Sequence, residues 1–337
     1  MQVGVILNFY TSRAVEADNV IELRIDQQDA GKKAHRYLRQ LLPGMPLSGI
    51  YKMLRTGRVK RGGRRVQADD VLAAGDILHL YMADADFARV RKSARKFAGI
   101  DARVDVRYED DDILVVAKPA GLLVHGAGTE HKDTLVNRVA AYLYHTQSAS
   151  DRVAIDSPSR VFSPAPVHRL DRNTSGLVAF AKTAEAARRL SEDIADHRVR
   201  KWYVAIVVGE TQDQGVIRAR VERNPVQNVT STAETGKPAE TRFVRVASRT
   251  GTSLVQIELV SGRTHQIRAH FASIGHPLVG DVKYGAPRSK QDAHQWLHAG
   301  ALEFPDGRRV TASFPEPFRQ RLLELGYAPD EIRRALS

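Results

Sequence analysis

Asp171 is the residue of this chain best placed by its neighbours to act as a nucleophile. It lies in the run Val167-His168-Arg169-Leu170-Asp171-Arg172-Asn173-Thr174-Ser175-Gly176, between two arginines and just before a glycine turn. A carboxylate flanked by guanidinium groups stays charged, and a charged carboxylate can attack an electrophilic carbon. The more ordinary use of a lone Asp in a turn is an Asx cap on its own backbone. Of the 12 histidines, His125, His168, His265, His270, His276 and His298 could suggest a metal centre. His265 and His270, however, are five apart, a poor spacing for one helical face. No carboxylate sits at a ligand spacing such as His-Glu-x-x-His. With 0 Cys, disulfides and thiolate zinc sites are excluded. There is no Gly-x-x-x-x-Gly-Lys-Ser/Thr loop to cradle a nucleotide phosphate.

Further runs accompany the Asp171 segment. They are Asp110 to His125 (DDDILVVAKPAGLLVH), Lys201 to Gly209 (KWYVAIVVG), Ser261 to His270 (SGRTHQIRAH), Gly275 to Asp281 (GHPLVGD) and Leu297-His298-Ala299. Taken together they resemble the motifs of the RluA-type pseudouridine synthases: H-R-L-D-x-x-T-S-G, K-x-Y-x-A-x-V-x-G and (T/S)-G-R-T-H-Q-I-R-x-H. The resemblance spans most of the chain. It implies an isomerisation of uridine in RNA that needs no cofactor and no metal. The Asp171 carboxylate would attack a flipped uridine at ribose C1′ or uracil C6. The glycosidic bond then breaks, the uracil turns, and a C–C bond forms at C5. The base must leave its stack before a side chain can reach it. Roles follow from the same resemblance. Arg263 would pair with Asp171. Tyr203 would stack on the uracil and assist proton removal. Arg169 would fill the gap left by the base, Ile267 would line the pocket, and His168 would contact substrate. Lys118 and Pro119 would shape the pocket wall. Val124-His125-Gly126 and Arg172 resemble the RluC subgroup more than the RluD subgroup, where His-Pro and Lys are expected.

Apolar spacing indicates the elements that must position these residues. Ile113 to Val116 is a buried-strand run ending at Lys118-Pro119. Leu177 to Ala181, Tyr203 to Val208 and the stretch holding Leu254, Ile257 and Leu259 read as further strands. Thr183 can cap a helix presenting Ala186, Leu190 and Ile194 on one face. Thr264 to Ile274 reads as a helix with Ile267, Phe271 and Ile274 inward. Strands outnumber helices and hairpin-type breaks recur, so residues 106–330 are expected to form an α+β catalytic domain on a mostly antiparallel sheet. Residues 146–166, rich in Ser, Asp and Pro, read as an excursion.

Residues 20–82 carry a separate, smaller α/β pattern. Ile21, Leu23 and Ile25 alternate as a strand. Ala34, Leu38, Leu41 and Leu42 follow at helical spacing until Pro43-Gly44. Ser48 can cap a second helix with Ile50, Tyr51 and Leu54. Gly31 to Leu42, Ser48 to Gly57 and Leu72 to Asp76 resemble an S4 RNA-binding domain. The Asp common after the glycine in that family is replaced here by Gly31-Lys32-Lys33-Ala34, which leaves the capping of the first helix open. Lys52, Arg55, Arg58, Lys60, Arg61, Arg64 and Arg65 form an acid-free run on that second helix and the turn after it, expected to meet phosphates. Residues 83–105, with Arg89, Arg91, Lys92, Arg95 and Lys96, read as a basic linker.

The charge agrees with a polyanionic partner. The net charge is +12, and residues 1–100 hold 18 basic against 10 acidic side chains. No apolar run is long enough to span a bilayer and no leader pattern is visible, so a cytoplasmic protein without membrane contact is expected, working as a monomer on rRNA or a pre-ribosomal particle. Two other readings differ in what they require. A non-catalytic RNA-binding or ribosome-assembly protein would not need Asp171, Tyr203 and Arg263 together. A carboxylate hydrolase would need a second acid at the site, and the motifs offer none.

Overall fold

The computed structural model describes residues 20–91 without 28, 100–146 without 127–129 and 131, and 164–337 without 225–226 and 250. Lys92, Arg95 and Lys96 of the expected linker, and most of the 146–166 excursion, lie outside the described residues. The described chain divides into two compact units, 20–91 and 100–146 with 164–337.

In the N-terminal unit, β1 (Val20–Arg24), β2 (Val59–Arg61), β3 (Arg64–Arg65) and β4 (Ile77–Tyr81) form an antiparallel sheet in the order β1-β4-β2-β3. Helices α1 (Ala34–Leu41) and α2 (Leu47–Arg55) supply Ala34, Tyr37, Leu41, Ile50 and Leu54 to its core, at the three- and four-residue spacing of one face on each helix. The first helix has no side-chain cap at Lys33. Its leading amides instead donate to the carbonyls of Asp70 (2.8 Å from Ala34) and Ala68 (3.0 Å from His35). Ser48 does not cap α2. The Pro46 carbonyl already accepts from Gly49 N–H at 2.8 Å and Ile50 N–H at 3.2 Å, so the helix starts two residues earlier, at Leu47, and Ser48 lies inside its first turn. The expected linker also begins late. Residues Asp84–Arg91 form α3, which buries Phe87 in this core and accepts the Gly44 amide on the Val90 carbonyl at 2.7 Å. The cation run lies on α2 and the β2–β3 hairpin.

The larger unit is α+β, as expected. Its sheet runs β11-β10-β12-β13-β9-β14-β8-β6-β5, with β15 beside β14 and β7 beside β8. These strands are β5 (Asp105–Glu109), β6 (Ile113–Lys118), β7 (Ala165–Pro166), β8 (Ser175–Ala181), β9 (Arg200–Val208), β10 (Gln214–Asn224), β11 (Val229–Thr232), β12 (Lys237–Arg249), β13 (Thr252–Leu259), β14 (Leu297–Glu303) and β15 (Arg309–Thr311). All pairings are antiparallel except β14 with β8. There β8 passes so close that a Cβ on Gly176 (φ +111°) would stand 2.2 Å from the Ala299 carbonyl oxygen, so only glycine fits. The helices are α4 (Leu135–Thr146), α5 (Ala184–Ala195), α6 (Gln266–Ser273), α7 (Glu316–Glu324) and α8 (Pro329–Arg334). Thr183 caps α5, accepting the Ala186 amide at 3.1 Å.

Strand β9 is buried on both faces. Tyr203, Ala205 and Val207 enter the core that also holds Ile267 and Phe271 of α6. Val204 and Ile206 point to the opposite core, with Phe318 and Leu322 of α7. The two-residue period of the strand thus commits Tyr203 to the α6 side.

Candidate active site

The loop between β7 and β8 carries Asp171, and the turn before α6 faces it. A cavity of about 240 Å³ is lined by His168, Arg169, Asp171, Tyr203, Arg263 and Ile267, together with Lys201, His265 and Arg268. Every residue of the larger unit selected from the sequence as catalytic or substrate-binding therefore meets at one cavity.

Asp171 is 22% exposed, and its Oδ2 accepts a charge-assisted hydrogen bond from Arg268 Nη1 at 3.2 Å. This corrects the expected pairing with Arg263, whose Nε donates to the Pro238 carbonyl at 3.3 Å on the exposed side of the turn. Nor do the flanking arginines hold the carboxylate. Arg172 pairs with Glu130 at 2.8 Å, and Arg169 is exposed at the cavity edge. The physical reason lies in the backbone before α6. His265 adopts a left-handed conformation (φ 53°), so the helix starts at Gln266 and not at Thr264. Arg268 then falls in the first turn facing Asp171, while Arg263 stays outside it.

Arg268 is itself fixed. Its Nε and Nη2 donate to the two oxygens of Asp281 at 2.6 and 2.8 Å, both side chains being nearly buried (9% and 2% exposed). Its guanidinium lies 4.6 Å from the centre of the Tyr284 ring. The His265 Nε2 stands 3.7 Å from Asp171 Oδ2. Gln266, 2% exposed, ties the turn to β12. Its Oε1 accepts from Ser261 Oγ at 2.8 Å and Arg263 N–H at 3.0 Å, and its Nε2 donates to the Glu240 carbonyl and to Thr241 Oγ1.

Lys118 holds the other side of the nucleophile loop. Its Nζ, buried at 1% exposure, donates at 2.8 Å to the carbonyls of Pro119, Leu122 and Arg172. Three acceptors require three N–H donors, which only the ammonium form provides. Burial pulls its pKa down to about 7, against the opposing pull of the Asp171 charge. Tyr203 is nearly buried, and burial, then the Asp171 charge, push its phenol well above the usual range, so it enters the site as a neutral ring. Burial, then the Lys201 charge, lower His168 to about 3. Its Nε2 accepts the Ala179 amide at 3.1 Å, which leaves the ring proton on Nδ1.

Three of the other histidines, His270, His276 and His298, are tied into the protein. His298, 1% exposed, joins Ser175 Oγ (2.9 Å) to the Ala312 carbonyl (3.1 Å). His270 meets Thr241 Oγ1 at 2.9 Å, and His276 the Val208 carbonyl at 2.9 Å. Arg268, His265, Asp281 and Tyr284 are the site residues that sequence reasoning missed. Arg268 and His265 stood inside the Ser261–His270 run and Asp281 ended the Gly275–Asp281 run, but Tyr284 carried no signal of its own.

Residues 112–273 match the family described as RNA pseudouridylate synthase. The chain is 34% identical over 292 residues to the ribosomal large subunit pseudouridine synthase C of Vibrio vulnificus, covering 83% of this chain and 87% of that protein. It is 31% identical over 297 residues to the ribosomal large subunit pseudouridine synthase D of Nitrosomonas europaea, covering 86% and 81%. Among solved structures, human RNA pseudouridylate synthase domain containing 1 superimposes with a TM-score of 0.52 at 25% identity, over 70% of this chain and 95% of that one. The chain belongs to the RNA pseudouridylate synthase family and is an RNA pseudouridine synthase. No helix among the described residues is long and apolar enough to cross a membrane.

Proposed function

We propose that this enzyme converts specific uridines of large-subunit ribosomal RNA to pseudouridine, with Asp171 as nucleophile and Arg268, in place of Arg263, as the group that aims it. The observation that carries the reading is the Asp171–Arg268 contact at 3.2 Å inside a cavity that also holds the neutral ring of Tyr203. Tyr203 stacks on the flipped uracil and assists removal of the C5 proton. Ile267 lines the pocket beside it, His168 contacts substrate, and exposed Arg169 takes the space the base vacates. Arg263, at the cavity rim, meets a phosphate of the incoming strand.

The ribosomal target is supported by the large-subunit names of the relatives. The subgroup C reading is supported by Val124-His125-Gly126 and Arg172. The N-terminal unit serves as an S4-type RNA-binding domain, with Lys52, Arg55, Arg58, Lys60, Arg61, Arg64 and Arg65 toward phosphates. The protein works as a monomer in the cytoplasm, on rRNA or a precursor particle, with no cofactor. The test is incubation of the purified chain with large-subunit rRNA, small-subunit rRNA and tRNA transcripts, followed by pseudouridine mapping. Modification confined to the large-subunit transcript is expected. Modification of tRNA alone would overturn the assignment of substrate.

A further inference from the structure

The Leu278–Gly285 segment does more than brace Arg268. Tyr284, in the short helix Val282–Tyr284, touches three separate parts of the fold. Its hydroxyl accepts the backbone N–H of Thr230 on β11 at 2.8 Å. The same hydroxyl lies 2.9 Å from His265 Nδ1, with the two rings edge to face. Its ring face carries the Arg268 guanidinium. A phenol has one proton to give. The oxygen accepts from the Thr230 amide, and the ring nitrogen of His265, 2.9 Å away, is placed to take the phenol proton. A neutral imidazole that accepts on Nδ1 carries its hydrogen on Nε2. Nε2 is the nitrogen that faces Asp171, 3.7 Å from its Oδ2. The opposite tautomer would turn a lone pair toward the carboxylate.

We propose that Tyr284 and His265 are positioning residues for the isomerisation: the Tyr284 hydroxyl sets the His265 tautomer so that an N–H, and not a lone pair, faces the attacking carboxylate. The two then flank Asp171 Oδ2 together with Arg268 without placing a second full positive charge on it. The inference rests on Asp171 being the nucleophile. The groups facing His265 are Asp171 from the β7–β8 loop, Arg268 from α6, and Asp281, Lys283 and Tyr284 from the 281–284 segment. Burial first, and then Arg268 and Lys283 against the pull of Asp171 and Asp281, keep the pKa of the ring below its ordinary value, so it is neutral near pH 7. The left-handed backbone at His265 (φ 53°) is one that His, like Asn and Asp, adopts more readily than most side chains.

The test is a pH–rate profile of kcat/KM for the full chain on an rRNA fragment, with NMR of the imidazole nitrogens. Protonating His265 would lock Asp171 into an ion pair, so activity falls on the acid side. Tyr284→Phe removes the donor that stabilises neutral His265 and raises its pKa. The acid limb should move up by about one pH unit, roughly a tenfold loss at the acid end. In the His265→Asn background, Tyr284→Phe should shift nothing. In the wild type the His265 resonance, assigned by its loss in His265→Asn, should show a bare Nδ1 and a protonated Nε2. A uniform loss of rate in Tyr284→Phe with an unmoved limb would overturn the proposal, as would an Nδ1–H tautomer. Asp171→Asn separates the two failures: activity in that variant would sink the site itself, whereas an inactive Asp171→Asn with an unmoved Tyr284→Phe limb would sink only the tautomer.

Discussion

Arg268 in the catalytic unit is 9% exposed and bonded through three nitrogens to two carboxylates. The cations of the N-terminal unit are arranged otherwise. Lys52, Arg55, Arg58, Arg64 and Arg65 stand exposed on a helix and a hairpin. Both regions concentrate positive charge, yet the physical demands differ. A group that aims a nucleophile must hold its geometry within a fraction of an ångström, so it is buried, forked and bonded on every side. A group that meets RNA phosphates needs only to be positive and reachable, because the gain comes from released counterions. Substitution should therefore be punished steeply in the first region and gradually in the second.

The sharpest version of that contrast is Arg268→Lys. Lys keeps the charge but not the planar fork, so it cannot hold Asp281 at two points and Asp171 at a third. Turnover should fall on the order of 10²-fold or more, seen in kcat under saturating RNA. A loss confined to KM would place Arg268 with the RNA-binding cations instead. Arg263→Gln comes next. With its side chain on the Pro238 carbonyl and away from Asp171, the change should raise KM and reduce the salt slope of RNA binding by about one. A kcat loss equal to that of Arg268→Lys would restore Arg263 as the partner of Asp171.

A triple change of Lys52, Arg55 and Arg64 to Gln should weaken RNA binding and flatten its log–log salt slope by about 2, at ~0.7 per single-stranded phosphate. Arg61 stays unchanged in that variant, because its pairing with Asp76 at 2.7 Å also braces the hairpin. An unchanged slope in the triple variant would mean that these cations face solvent alone. The smallest effect concerns stability. His168, His270 and His298 are held at about 3, 4 and 4 by burial in the fold. Unfolded, they titrate near the ordinary histidine value of about 6.5. The unfolded chain thus binds protons first as pH falls, and stability present above about pH 6.5 is lost progressively below it. Thermal melts from pH 7.5 to 5 should show a falling Tm. A flat Tm would contradict the neutral burial of these rings.

Much of this was legible in the sequence because the chemistry and the elements reinforce one another. Asp171, Tyr203 and Ile267 lie in runs whose apolar alternation already places a strand or a helix beside them, and the Thr183 cap could be read from a Thr just before an apolar helical spacing. The choice between Arg263 and Arg268 could not. Both stand in one ten-residue run, and which of them reaches Asp171 depends on a left-handed residue at His265. A non-glycine in that conformation leaves no mark on composition or periodicity. The linker failed for a related reason. The helix at Asp84–Arg91 has a weak apolar pattern, and only its contact with Gly44, far away in sequence, brings Val90 and Phe87 against the core. Tyr284 illustrates the limit most plainly. Its hydroxyl meets Thr230, 54 residues away, and only the folded sheet edge brings them together.

The most direct test of the central claim is pseudouridine mapping across large-subunit rRNA from cells lacking this gene, carrying the wild type, or carrying Asp171→Asn. The account predicts that specific pseudouridines vanish in the deletion and return with the wild type. They should stay absent with Asp171→Asn, although that variant accumulates as a folded, RNA-binding protein. Return of the same pseudouridines in cells carrying only Asp171→Asn would contradict it.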